Sequence, residues 1–244
     1  MFESWGVALS YWPEFLSALV LTAEVSVLSF ALAFVLGVLG ALARRSGVWP
    51  VRVLGAVYVE AIRNTPVLLQ IFMIFFALPQ LGVRLTAFDA GVAALGINAG
   101  AYLTEIIRAG LQAVPRGQVE AARSLGLRQR DIFRSVVFPQ ALRFVYPPVI
   151  NQFIQIILGS SLVSAIALPE LTSTTETINS TTLMTMQLFT IALLLYLLLS
   201  NVTALLADVV GRYAFKPPLY SRPSGRGGLP LRRRLQAFVA GGGA

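Results

Sequence analysis

A chain of 244 residues that is 56% hydrophobic and only 12% charged, with a mean hydropathy of +0.74, lies outside the range of soluble domains, where about a quarter of residues are charged. It has no cysteine and no histidine. That excludes disulfides and thiolate metal sites and removes the commonest general base and metal ligand. The net charge of +8 would suit a nucleic acid, but the placement of the basic residues marks membrane topology instead, and no nucleic-acid partner is expected.

Apolar windows predict an all-α, polytopic membrane protein with five transmembrane helices, over about 22–43, 62–81, 88–110, 145–168 and 186–208. Residues 1–21 read as an external interfacial segment in which Trp5, Tyr11 and Trp12 form an aromatic belt. No positive charge precedes Arg44, so the N-terminus lacks the basic region of a cleaved signal peptide. The first apolar run begins near Phe15 and would be about 43 Å long as one helix, more than a hydrocarbon core of about 30 Å. Glu24 at the outer interface resolves the excess; an intramembrane functional Glu24 is the other reading.

Of the 19 basic residues, all but Arg84 fall on one side of these spans. By the positive-inside rule the N-terminus is outside and the C-terminus cytoplasmic. Residues 22–212 then make the membrane domain, and 213–244 a disordered basic cytoplasmic tail rich in Pro, Gly and Arg. Its Arg232 to Arg234 run suits anionic headgroups.

Two spans carry polar residues. In span three, Glu105 and Arg108 share a helix face near the cytoplasmic end. With Arg63 they predict an ion network that either holds the spans in register or breaks when a gate moves. Asn98 sits among Gly91, Ala93, Ala94, Gly96, Ala99, Gly100 and Ala101, a surface for close helix packing or for lining a cavity. In span four, Gln152, Gln155 and Gly159 fall on one face with Ser160 adjacent and Ser161 next to it. This is either a translocation path or a set of interhelical hydrogen bonds.

The loop 113–139 between those spans is water-compatible. Pro115 suits a first helical turn, Glu120, Ala121 and Ala122 extend that helix, and Gly126 supplies a left-handed residue to end it. A second helix from about Asp131 places Ile132, Phe133 and Val136 on one stripe, leading to Phe138 and Pro139. The result is a compact knob in which Ala121 and Ala122 allow close approach and Glu120 can pair with a cation. An amphipathic helix lying on the membrane is the competing reading, and it needs neither the glycine break nor the alanine pair.

Several motifs resemble those of one family. The run Arg63-Asn64-Thr65-Pro66-Val67-Leu68-Leu69-Gln70 resembles the R-x-T-P-[LV]-L-x-Q signature of permeases for polar amino acids. Asn98-Ala99-Gly100-Ala101-Tyr102 with Glu105, Arg108 and Gly110 is similar to the N-x-G-A-Y-x-x-E-x-x-R-x-G stretch. Pro115-Arg116-Gly117-Gln118 leads into Glu120-Ala121-Ala122 as P-x-G-Q leads into the EAA loop. Phe138-Pro139-Gln140-Ala141, Pro147-Pro148, Asn151 and Pro169-Glu170-Leu171 continue the match, which covers about residues 20–212. Two departures stand out. Leu158-Gly159-Ser160-Ser161-Leu162 replaces a K-D-T-S-L-like run, removing a Lys and an Asp from the membrane domain, and Arg128 stands where the loop's second helix often begins with Ser.

The resemblance implies the type I ABC-importer permease fold, with a cytoplasmic coupling helix in the EAA loop. It implies uptake of an amino acid by alternating access in a bacterial inner membrane. The expected partners are a second permease subunit, identical or paralogous, a cytoplasmic ABC ATPase dimer, a periplasmic amino-acid-binding protein and the lipid bilayer. Within the loop it singles out Glu120, Ala121, Ala122, Gly126, Ile132, Phe133 and Pro139 as the ATPase-coupling residues.

The chain cannot bind ATP through a P-loop, because its only lysine, Lys216, precedes Pro217. ATP and magnesium would therefore be held by the partner ATPase, and this chain is expected to carry no cofactor, no metal and no catalytic residue. The rival readings are an ion-coupled secondary amino-acid transporter, which commonly shows internal repeats and buried carboxylates, and a membrane enzyme, for which no catalytic constellation is evident.

Overall fold

The computed structural model describes residues 2–215, with side chains from Trp5 onward. The basic-tail expectation falls outside the described residues from position 216. Among the described residues every regular element is helical. The chain divides into two compact units, Met1–Ala207 and Asp208–Ala244. The described part of the second is the end of the last helix, where Arg212 pairs with Asp208.

Helix α1 (Phe2–Ser10) precedes α2 (Trp12–Arg44), which starts with Pro13 in its first turn, where a missing amide hydrogen costs nothing. Unlike the expected 22–43 segment, α2 runs unbroken for 33 residues. The part from Glu24 to Arg44 measures about 30 Å at the helical rise, and the Glu24 side chain is exposed.

The expected span over 62–81 is not one helix. Helix α3 (Trp49–Arg63) stops at Asn64, and α4 (Val67–Phe72) restarts after Pro66 with a bend of 107°. Pro66 has no amide hydrogen to give the ladder, and its ring disfavours helical geometry at Thr65. The chain then widens into π-type turns over Met73–Ala77 and tightens into a 3-10 turn over Leu78–Leu81, ended by left-handed Gly82. Counting this bent pair as one span, five candidate spans are present among the described residues; four are single helices.

Helix α5 (Ala87–Gln112) opens on Thr86, whose hydroxyl accepts from the Asp89 amide at 3.1 Å. The loop holds α6 (Arg116–Ser124) and α7 (Gln129–Ile132). The coil widens at Phe133–Val137, continues as α8 (Phe138–Gly159) and tightens to a 3-10 form over Ser160–Ile166. The expected second short helix of the loop is therefore the foot of span four, in one helical run over Gln129–Ile166. Helices α9 (Leu171–Thr182) and α10 (Thr185–Ala214) complete the fold.

Helices α2 and α5 form the most extensive pair. Gly37 and Gly40 allow it: a Cβ at Gly37 would lie 2.6 Å from Leu103 Cβ, and one at Gly40 would lie 2.2 Å from Thr104 Oγ1. Backbones this close gain dispersion where lipid offers no hydrophobic driving force. The small residues of α5 mainly pack: Gly91 faces Val163, Gly96 faces Leu32 and Gly100 faces Leu36. Ala33, Ala99, Leu103, Val149 and Ile156 then join α2, α5 and α8 in one buried cluster. By contrast, α10 exposes Leu193, Leu194, Leu197 and Leu198, a surface suited to lipid or a second subunit.

Candidate translocation path and coupling surface

The α6 helix ends in a Schellman arrangement. The Gly126 amide donates to Arg123 O at 2.9 Å and the Leu127 amide to Ala122 O at 3.2 Å, with Gly126 at φ 76°. Of the expected coupling residues, Glu120, Ala121, Gly126, Phe133 and Pro139 are exposed, while Ala122 and Ile132 are buried beneath them. Leu125, at 81% exposure, is an apolar tip the sequence reading passed over. Gln140 Nε2 donates to Gln118 Oε1 at 2.6 Å, tying α6 to the start of α8. These two glutamines come from separate motifs, and nothing in their spacing signals the contact.

Deeper in the molecule, a cavity of about 610 Å³ brings together Asn98, Tyr102, Gln152, Gln155, Gly159 and Ser161. No ionisable side chain other than the Tyr102 phenol lines it. The Gln152 and Gln155 amides have no hydrogen-bond partner among the described residues. Asn98 Nδ2 donates to Gln70 Oε1 at 3.0 Å, which leaves its own oxygen free to accept. Ser160, expected on this face, is fully buried elsewhere and donates to Ile157 O at 2.7 Å. The tighter winding that begins at Ser160 turns it away from the face that Gln152 and Gln155 share, and Ser161 reaches the cavity in its place.

The ion network also differs from expectation. Glu105 accepts from Arg108 at 2.5 and 2.9 Å, and lies 3.6 Å from Arg44 on α2. Arg63 instead stacks over the Tyr102 ring at 5.0 Å, a cation–π contact. Tyr102 lies three residues before Glu105 on α5, so Arg63 meets the same helix one turn away, and Arg44 takes the place assigned to it.

The Pro169-Glu170-Leu171 motif holds a further buried group. Glu170 is completely buried and caps α9, accepting from the Thr172 and Ser173 amides at 2.9 and 2.8 Å and from the Tyr196 hydroxyl at 2.6 Å. Burial pushes its carboxyl above the ordinary carboxylate range, against the opposing effect of these three donors.

Residues 15–214 match the family described as "Binding-protein-dependent transport system inner membrane component". The chain is 41% identical over 175 residues to the Bacillus subtilis protein named "Probable glutamine ABC transporter permease protein GlnM", covering 72% of this chain and 81% of that one. It is 43% identical over 166 residues to the L-cystine transport system permease protein TcyB of the same organism, covering 68% of this chain and 70% of the relative. A solved structure titled "Crystal structure of an amino acid ABC transporter with histidines" superposes with a TM-score of 0.79 at 36% identity, covering 84% of this chain and 96% of the other. The chain belongs to the family of inner-membrane permease components of binding-protein-dependent transport systems.

Proposed function

We propose that this permease carries amino acids inward through the cavity lined by Asn98, Gln152, Gln155 and Ser161, by alternating access driven by a separate ATPase docked on the 113–139 loop. One observation carries the reading: the loop is mechanically part of the cavity wall. The helical run Gln129–Ile166 starts in the loop and includes Gln152, Gln155 and Gly159. A push on exposed Phe133, or on Glu120, Ala121 and Gly126 of the knob packed against the foot of this run, moves the run, and the run moves the lining. Such an element has two positions that binding at either end can bias.

The relatives named for glutamine and L-cystine support an amino-acid cargo. The cavity supplies amide and hydroxyl groups and no fixed charge from Asp, Glu, Lys or Arg, which suits a zwitterion with an uncharged side chain. In this reading the N-terminus and residues 1–21 are external, the coupling loop is cytoplasmic, and a second permease subunit covers the exposed leucines of α10. ATP and magnesium stay on the ATPase, and an external binding protein delivers the cargo. The Arg44–Glu105–Arg108 cluster holds the cytoplasmic ends of α2 and α5 in register.

The test is reconstitution of the full chain, with the ATPase and binding protein encoded beside it, into vesicles. Uptake of labelled glutamine that requires ATP and is lost in Gln152→Leu plus Gln155→Leu supports the reading. Uptake indifferent to those two side chains moves the path elsewhere.

A further inference from the structure

A second cavity, of about 430 Å³, opens at the end of the molecule that carries the coupling loop. It is lined by Arg44, Arg45, Arg52, Arg108, Leu111 and Gln112. The four arginines come from three elements: Arg44 and Arg45 from the end of α2, Arg52 from the start of α3, and Arg108 from the last turns of α5. One carboxylate, Glu105, meets them, and it pairs with Arg108 and Arg44. The guanidinium groups of Arg45 and Arg52 have no ion-pair or hydrogen-bond partner among the described residues. The C-terminal carbonyls of α2 and α5 cannot neutralise four guanidinium groups, because a helix end carries only about half a charge.

Apolar side chains stand one turn from two of these arginines. Leu42, three residues before Arg45, and Trp49, three before Arg52, are exposed, at 62% and 66%. A tryptophan beside basic residues at the end of a membrane span belongs to the headgroup layer. A topology signal needs only the charge of such residues. It does not require guanidinium groups from separate helices to converge on a cavity and leave two of them unpaired.

We infer that the cleft formed by Arg44, Arg45, Arg52 and Arg108 binds the phosphodiester headgroup of an anionic phospholipid, with the acyl chains lying along Leu42 and Trp49. Guanidinium groups match phosphate oxygens two at a time, and basic pockets between spans hold acidic headgroups. These apolar neighbours select a lipid over a soluble phosphate. A bound lipid would bridge α2, α3 and α5 at the level of the Glu105 cluster.

The experiment offers the purified full-length chain equal amounts of phosphatidylglycerol and phosphatidylcholine with matched acyl chains, and counts retained lipid by native mass spectrometry. The wild type is expected to favour phosphatidylglycerol roughly tenfold. Arg45→Gln plus Arg52→Gln is expected to approach parity. Arg130→Gln plus Arg134→Gln, with the same loss of charge on the loop, is expected to keep the preference.

Parity in the wild type overturns the inference, and so does an undiminished preference in the Arg45/Arg52 variant or an equal loss in the Arg130/Arg134 variant. Displacement of the lipid by millimolar glycerol phosphate would show that the cleft takes a free phosphate, against the inference. Loss of a co-purified ATPase from the Arg45/Arg52 variant, with lipid preference intact, would make the cleft a protein-docking site and overturn it as well. If that variant does not fold, the single variant Arg52→Gln takes its place, and an undiminished preference there overturns the inference.

Discussion

Asn98 Nδ2 donates to Gln70 Oε1 at 3.0 Å, joining the motif that contains the Pro66 bend to the one that begins at Asn98 on α5. The same Gln70 amide donates back across the bend, to Ile62 O at 2.9 Å and Thr65 Oγ1 at 2.8 Å. Gln70 therefore staples a 107° corner to the cavity wall. Replacing it with leucine removes these bonds, at about 1–3 kcal/mol. Thermal unfolding in detergent should show a lower midpoint for Gln70→Leu than for the wild type. Equal midpoints would mean that the staple adds nothing.

Helices α2 and α5 meet where Gly40 faces Thr104. An alanine at 40 would put its Cβ 2.2 Å from Thr104 Oγ1, and overpacking of this kind costs about 1–3 kcal/mol. Shortening Thr104 to alanine removes the obstructing atoms. The double variant Gly40→Ala plus Thr104→Ala should therefore unfold at a higher temperature than Gly40→Ala alone. Strict additivity of the two changes would count against close approach at this point.

Gly126 is a backbone requirement. Its φ is 76° and no atom lies within 4 Å of an added Cβ, so any penalty comes from the left-handed conformation itself. Gly126→Asn should keep coupled transport, Gly126→Ala should lose a little stability, and Gly126→Val should hydrolyse ATP without uptake. Steady-state uptake and phosphate release, measured on the same vesicles, give the ratio. Wild-type coupling by the valine variant would remove the proposed role of the turn.

Glu170 gives a pH dependence with a definite sign. Its folded carboxyl titrates above its ordinary value, so folding favours the protonated form. That contribution is complete below the unfolded value, near 4.3, and is lost as pH rises through the higher folded value. Glu170→Gln mimics the protonated form at every pH. The stability difference between wild type and variant should thus move against the wild type as pH rises through and above the ordinary carboxylate range. A difference that is flat with pH would show that the Tyr196, Thr172 and Ser173 donors cancel the burial.

Much of this architecture was legible in the sequence, because bilayer thickness and the glycine, proline and alanine punctuation of 115–139 are local signals. The bend at Pro66 was visible as a motif yet read through as one span, since a window of apolar residues averages across a three-residue break. Arg44 displaced Arg63 beside Glu105 for a related reason: spacing ranks partners on one helix but not between helices. Ser160 was grouped with the cavity face because it adjoins Gly159, yet one residue along a helix is about 100° around it. Asn98, Gln152 and Gln155 stand out in the sequence because lone amides in apolar helices are conspicuous. Gln70, the partner of Asn98, does not, because the fold alone brings it near.

The account rests most heavily on the loop driving the cavity, and one measurement addresses that link directly. A spin-label pair with one probe at Leu158, on the run that starts in the loop and beside the cavity, and one at exposed Leu28 on α2 would be followed by pulsed distance spectroscopy in the reconstituted transporter with its ATPase. The account predicts that trapping the ATPase closed shifts the distance distribution to a second discrete population, and that Gly126→Val reduces this shift. A distribution unchanged by nucleotide, alongside uptake driven by an ion gradient without ATP, would contradict it.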